Sequence, residues 1–197
     1  MKRILITLSV ALLFLGVARP ANAAFIINAL QVGPDVVFSG SGSIDLTAWT
    51  PHGPQSNGDS FFIQPDVAGI FFAFSMFDYY SAPANYSGPS HFGLAGDTEY
   101  ANFGAGDVFG FQNTSELLGV PVGYQSGDPL SASMTFSNQT FTTLEINPGS
   151  YIWSWGSGAT ADYIRLNVGP LSVPESGSTL LMLGMVVAGY AVRRFWK

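Results

Sequence analysis

The chain is predicted to fold as an all-β protein, an antiparallel β-sandwich or jelly roll, flanked by an N-terminal signal helix and a C-terminal transmembrane helix. Three observations predict this. The middle of the 197-residue sequence is rich in Gly, Ser, Thr and aromatic residues and carries no helical periodicity. Short apolar or alternating runs there are separated by Gly-, Pro- and Asn-containing turns. Each end holds one uncharged apolar stretch bordered by bases.

Taken in order, the first element is residues 1–23. Met1-Lys2-Arg3 is followed by an uncharged apolar run from Ile4 to Ala18, then Arg19-Pro20 and Ala21-Asn22-Ala23. A basic start, an apolar centre and a small-x-small site form a secretory signal, too short to span a ~30 Å hydrocarbon core stably. Export by the Sec machinery and cleavage by signal peptidase after Ala23 are expected, with Ala21 and Ala23 as the small residues of the site.

The body, 24–172, is expected to be one domain. Strand-like runs are Val36 to Trp49, Phe61 to Ile63, Gly69 to Phe77, Val108 to Phe111, Leu130 to Phe136, Tyr151 to Trp155 and Tyr163 to Val168. Gly33-Pro34, Gly53-Pro54, Asn57-Gly58, Gly88-Pro89, Gly127-Asp128-Pro129, Asn147-Pro148-Gly149 and Gly169-Pro170 supply the turns. A parallel α/β sheet would need amphipathic crossover helices, and none is visible. At period two, Tyr151, Trp153 and Trp155 share one strand face, with Ile152 and Ser154 opposite. The small residues from Ser39 to Ser43 imply a bend or close sheet packing.

The last element is 173–197. Val173-Pro174-Glu175-Ser176-Gly177-Ser178-Thr179 leads into an apolar stretch ending at Val192, and Arg193-Arg194-Phe195-Trp196-Lys197 closes the chain. As a helix, 176–192 spans about 25 Å, a minimal membrane crossing. The basic stop of Arg193, Arg194 and Lys197 places the tail in the cytoplasm and the body outside it.

Charge narrows the function classes. Net charge is −6, but outside the two ends the only base is Arg165, set against twelve acids, so the body carries about −11. One base cannot neutralise a phosphate backbone, which excludes nucleic acid as a partner, and it disfavours docking on anionic lipid. Absence of Cys removes thiol catalysis, Cys-ligated zinc and iron–sulfur clusters.

The tail, with its short Pro-Glu motif, apolar helix and Arg cluster in that order, resembles the PEP-CTERM sorting signal read by exosortases. Val173 to Thr179 is closest to the VPDSG variant, with Glu175 in place of Asp, and Ser176 stands where the commoner form has a second Pro. The resemblance covers about 173–197. It implies cleavage near the motif by an exosortase, residence at the inner membrane in transit, and release or attachment of the body at the cell surface or extracellular matrix. Residues 120–169, with Pro-Gly-Ser-Tyr-Ile-Trp-Ser-Trp-Gly-Ser-Gly-Ala-Thr-Ala-Asp at 148–162, are similar to a recurrent group of exported proteins bearing this tail. No catalytic residue follows from that likeness.

Candidate chemistry in the body is sparse. Trp153 and Trp155 are candidates for stacking on sugar rings, the competing reading being that the pair fills the core. Asp97, Glu99 and Asp107 are candidates for calcium, a hard cation that takes oxygen ligands, though no Asp-x-Asp-x-Asp-Gly loop is present. They are also the acids a glycoside hydrolase would need paired across a cleft. His52 and His91 could hold a metal only if they met beside a carboxylate. No catalytic set, resident metal or other cofactor is assigned. The expected function is a non-catalytic surface or matrix protein; the alternatives are a carbohydrate-binding module for exopolysaccharide and, behind it, a hydrolase.

Overall fold

A computed structural model describes residues 24–56, 60–72 and 76–169. The expected signal segment 1–23 and sorting tail 173–197 lie outside the described residues. Thirteen strands are described: β1 Ala24–Val32, β2 Asp35–Gly42, β3 Thr50–Ser56, β4 Phe62–Gln64, β5 Gly69–Phe72, β6 Met76–Ser81, β7 Glu99–Tyr100, β8 Phe103–Gly106, β9 Phe109–Gln112, β10 Leu117–Pro121, β11 Leu130–Phe136, β12 Gly149–Trp155 and β13 Asp162–Val168. Two short 3-10 turns, Pro65–Val67 and Gly158–Thr160, are the helical elements among the described residues.

The strands form two sheets over one core. One has six strands in the order β12-β13-β1-β2-β11-β8; the other has seven, β3-β6-β10-β9-β5-β4-β7. All-β architecture follows the sequence expectation. Purely antiparallel pairing does not, because β1 and β13 run parallel, with Ala24 opposite Tyr163 and Ala29 opposite Val168. The sequence reading begins its strands at Val36 and therefore lacks β1. That strand follows directly on the signal segment, and its apolar run carries no turn marker at its start.

β1 alternates cleanly, with Phe25, Ile27 and Ala29 buried and Ile26, Asn28 and Leu30 partly exposed. It turns into β2 through Gly33-Pro34, with Val32 paired to Asp35. Gly33 has φ +60, the left-handed geometry that the first loop position of a tight primed hairpin requires. β2 stops at Gly42, earlier than the run to Trp49 suggested. The small residues there meet the expectation of close packing: a Cβ on Gly40 would lie 2.7 Å from the Phe25 ring, and one on Gly42 would lie 1.9 Å from the Ala24 carbonyl oxygen. β3, β7, β8 and β10 are further strands that the sequence reading leaves out. β3 contains Pro51 and Pro54 and reads as a turn, yet it holds as an edge strand, where a missing N–H costs no ladder bond; its register shifts between Pro51 and Gly53.

Aromatic rings join the sheets. Phe25 of β1 lies 4.0 Å, centroid to centroid, from Phe109 of β9, and Trp153 of β12 lies 4.7 Å from Phe111 of β9. Trp49 and Trp155 meet edge to face at 5.2 Å. Rings at such spacings contribute about 0.5–1.5 kcal/mol per pair beyond their buried area.

Two glycines at positive φ separate backbone freedom from space. Gly33 has no heavy atom within 4 Å of a would-be Cβ, whereas Gly42 (φ +142) faces backbone. Gly33→Ala is expected to cost about 1 kcal/mol and Gly42→Ala more than about 3 kcal/mol, read as shifts in urea unfolding of residues 24–172.

Candidate functional site

The outward face of the six-stranded sheet presents side chains in rows that cross the strands. One row runs Ser150, Asn167, Asn28, Ser39, Ser133, Ala105, over β12, β13, β1, β2, β11 and β8. The next runs Ile152, Arg165, Ile26, Ser41, Ser131. Period-two alternation produces this: alternate residues of each strand face the core, and the others face outward, Ser and Asn in the first row and Ile26, Ile152 and Arg165 among the second.

Part of the first row is wired together. The Ser150 hydroxyl donates to Asn167 Oδ1 at 3.0 Å, and Asn167 Nδ2 donates to Asn28 Oδ1 at 3.0 Å. Beyond Asn28 the wiring stops. Asn28 Nδ2 and the hydroxyls of Ser39, Ser41, Ser131 and Ser133 make no hydrogen bond to a described residue. They line a groove of about 450 Å³ with Gly40 and Ala132 in its floor and Ala105 and Gly106 at its far side. Strand spacing makes it about 15 Å wide. Every lining residue is neutral.

A second feature sits at the pole where β1 begins. The segment Ile44-Asp45-Leu46 leaves β2 and plugs the space between the sheets without a ladder of its own. Side chains satisfy its backbone instead. Tyr124 Oη accepts from Ile44 N–H at 2.8 Å, Asp162 Oδ2 from Asp45 N–H at 2.7 Å, and Ser126 Oγ from Leu46 N–H at 2.8 Å. Trp155 Nε1 donates to the Asp45 carbonyl at 3.2 Å. Asp162 is 3 % exposed, and its other oxygen accepts from Tyr163 N–H at 2.7 Å. Burial pushes its pKa up to about 6, the nearby Asp45 charge adding to this and the two N–H donors opposing it. A cavity of about 280 Å³ adjoins it, lined by Asn85, Ser154, Trp155, Gly156, Ala161, Asp162 and Tyr163. With both oxygens held by main-chain donors, Asp162 acts as a clamp on the plug.

The residues singled out from sequence fall elsewhere. Trp153 and Trp155 are 0 % and 2 % exposed, and Trp153 Nε1 donates inward to the Pro89 carbonyl at 2.8 Å. Neither ring offers a face to a sugar; the pair fills the core because it lies on the inward side of β12. Asp97 lies on an exposed loop, Glu99 pairs with Ile63 at the edge of the seven-stranded sheet, and Asp107 follows β8 in the other sheet, its Oδ2 accepting from Ser131 N–H at 2.8 Å. Among the described residues no group of three or more His, Asp or Glu is placed to hold a metal ion, so these three acids are not brought together as a calcium site. His52 stacks on Tyr79 at 4.8 Å beside Ser81, while His91 is on an exposed loop. Of the groove residues the sequence reading takes Ser39, Gly40 and Ser41 only as small residues implying a bend or close packing, and 131–133 only as part of a strand. The available signal was the paired alternation Ser39-x-Ser41 and Ser131-x-Ser133.

Comparison with family models, curated proteins and solved structures gives no match.

Because the folded protein binds the Asp162 proton more tightly than the unfolded chain does, stability from this group is complete below about pH 4 and falls as pH rises through about 6. Between pH 4.5 and 7.5 the loss is on the order of 2 kcal/mol. Asp162→Asn is expected to flatten that part of the pH slope in urea unfolding, although it weakens one clamp bond at every pH; an unaltered slope would assign it to other acids.

Proposed function

We propose that the chain is an exported, exosortase-processed protein of the cell surface or extracellular matrix whose role is non-catalytic. In this reading signal peptidase removes 1–23, helix 176–192 holds the protein briefly in the inner membrane, and an exosortase cleaves at the Val173–Thr179 motif. What supports it is the order of signals in the sequence: a basic start, apolar run and small-x-small site in 1–23, and a Pro-Glu motif, apolar stretch and basic stop in 173–197. Among the described residues the last strand, β13, ends at Val168, shortly before the motif. Parallel pairing of β1 and β13 sends the two ends to opposite poles.

A second reading, binding of exopolysaccharide, is favoured by the groove rather than by the tryptophans. Serine hydroxyls and the Asn28 Nδ2, which make no hydrogen bond to a described residue and are set in a shallow neutral groove, match the hydroxyls of a sugar chain. The hydrolase reading needs Asp97, Glu99 or Asp107 in one pocket with a second acid or a histidine, and neither the groove nor the Asp162 cavity is lined by them.

Intact mass of the protein from its native envelope, with and without the exosortase, tests the sorting route. The expected species starts at Ala24 and ends within 173–179 only when the exosortase is present. A species retaining Lys197 in both strains would make the tail a plain anchor.

A further inference from the structure

The strand that leads out of the body toward residues 173–197 is fastened on both sides. Seven register pairs join β13 to β12 and six join it to β1, which is itself paired on its far side with β2. The ladder runs on past the end of the strand, where Gly169 N–H donates to the Ala29 carbonyl at 2.9 Å. Side chains tie the same end across three strands: Ser150 Oγ donates to Asn167 Oδ1, and Asn167 Nδ2 to Asn28 Oδ1, each at 3.0 Å. The opposite end is held by Asp162, whose Oδ2 accepts from Asp45 N–H of the plug at 2.7 Å.

The direction of these connections matters as much as their number. Ladder hydrogen bonds run across the strands. Force along a strand therefore loads its rungs together, whereas force across one end loads them one after another. Because β1 and β13 are parallel, the start of β1 and the end of β13 lie at opposite poles, and tension between those points shears the pair. Sliding carries a further cost. β13 sends Ile164 and Leu166 inward, both fully buried, and Tyr163, Arg165 and Asn167 outward. A slip of one residue would carry the Arg165 charge into the core and turn the two apolar side chains to solvent. Asp162 would lose the Asp45 N–H in the same step.

We propose that the body is a tension-bearing module, in which force entering at the end of β13 passes in shear into β1 on one side and β12 on the other. A protein held at a surface through its C-terminal segment meets force at this strand whenever flow or an attached partner pulls on the rest of the body. That use rests on the reading of 173–197 as a tether; the resistance itself rests on the fold. Forced unfolding is governed by the unfolding rate along the pulled direction and not by equilibrium stability. The resistance is therefore directional, which a merely stable sandwich would not require.

The test pulls single molecules of the mature protein between two attachment points. The chain has no cysteine, so introduced ones define the axis. The first axis joins a cysteine added before Ala24 to one added after the C-terminal residue. The second joins Ser150→Cys, exposed on β12 and paired with Asn167, to the same C-terminal point, which peels β12 from β13 starting at one end. Pro148→Cys, exposed just before β12, supplies the same axis should Ser150→Cys fold poorly. The first axis is expected to need at least twice the unfolding force of the second at the same pulling speed, and to release the body in one step. Equal forces, a weaker first axis, or a first step that frees β13 alone would each overturn the proposal. Neither force depends on exosortase processing, so this proposal and the sorting route fail separately.

Discussion

The structure depends on one pairing, the parallel register of β1 against β13 in the middle of the six-stranded sheet. It joins residues 139 positions apart, as the Asn167–Asn28 hydrogen bond records. Without β13, β1 loses one of its two neighbours and the sheet opens between β1 and β12. Without β1, Phe25 leaves the core, and with it the 4.0 Å contact that joins the sheets through Phe109. The last strand must therefore arrive before the six-stranded sheet is whole. Such non-local closure makes folding slow relative to chains rich in local contacts.

That pairing also sets the polarity of the molecule. Parallel neighbours enter and leave at opposite ends, so the pole at Ala24 and the pole at Val168 have different tasks. The first has to be closed where β2 ends at Gly42 and the chain crosses toward the other sheet. Ile44 and Leu46 fill the gap, but their backbone has no strand to pair with. Tyr124, Ser126, Asp162 and Trp155 supply the missing partners, each from a different point of the chain beyond residue 120. A buried carboxylate is the cost of this arrangement, and it makes the stability of the pole depend on protonation.

The two sides of the six-stranded sheet show how one alternation produces both core and surface. Inward positions carry Phe25, Phe38, Phe136 and Trp153, which dominate the core. Outward positions carry Ser39, Ser41, Ser131, Ser133 and Asn28, short polar groups that leave the sheet flat and open. The close approach of Gly40 to Phe25 links the two: the backbone there is pressed onto an inward ring, which leaves space for a shallow groove outside. Arg165 lies on the same outward face, its guanidinium over the Tyr163 ring.

Much of the architecture was legible in the sequence. Turn dipeptides and period-two runs pointed to an all-β body; Leu130 to Phe136 is a strand over its full predicted length, and the aromatic face of 151–155 is the inward face of β12. The charge balance and its single base were equally plain. Local chemistry determines these features, because turn conformation and side-chain alternation depend on residues within a few positions of one another. Tertiary structure alone decided that 24–32 is a central strand, that it pairs in parallel with the final one, and that four serines from two distant strands fall side by side. Each is a matter of register between strands far apart in the chain. Register is fixed by which rings fill a shared core, and no short window of sequence contains both partners.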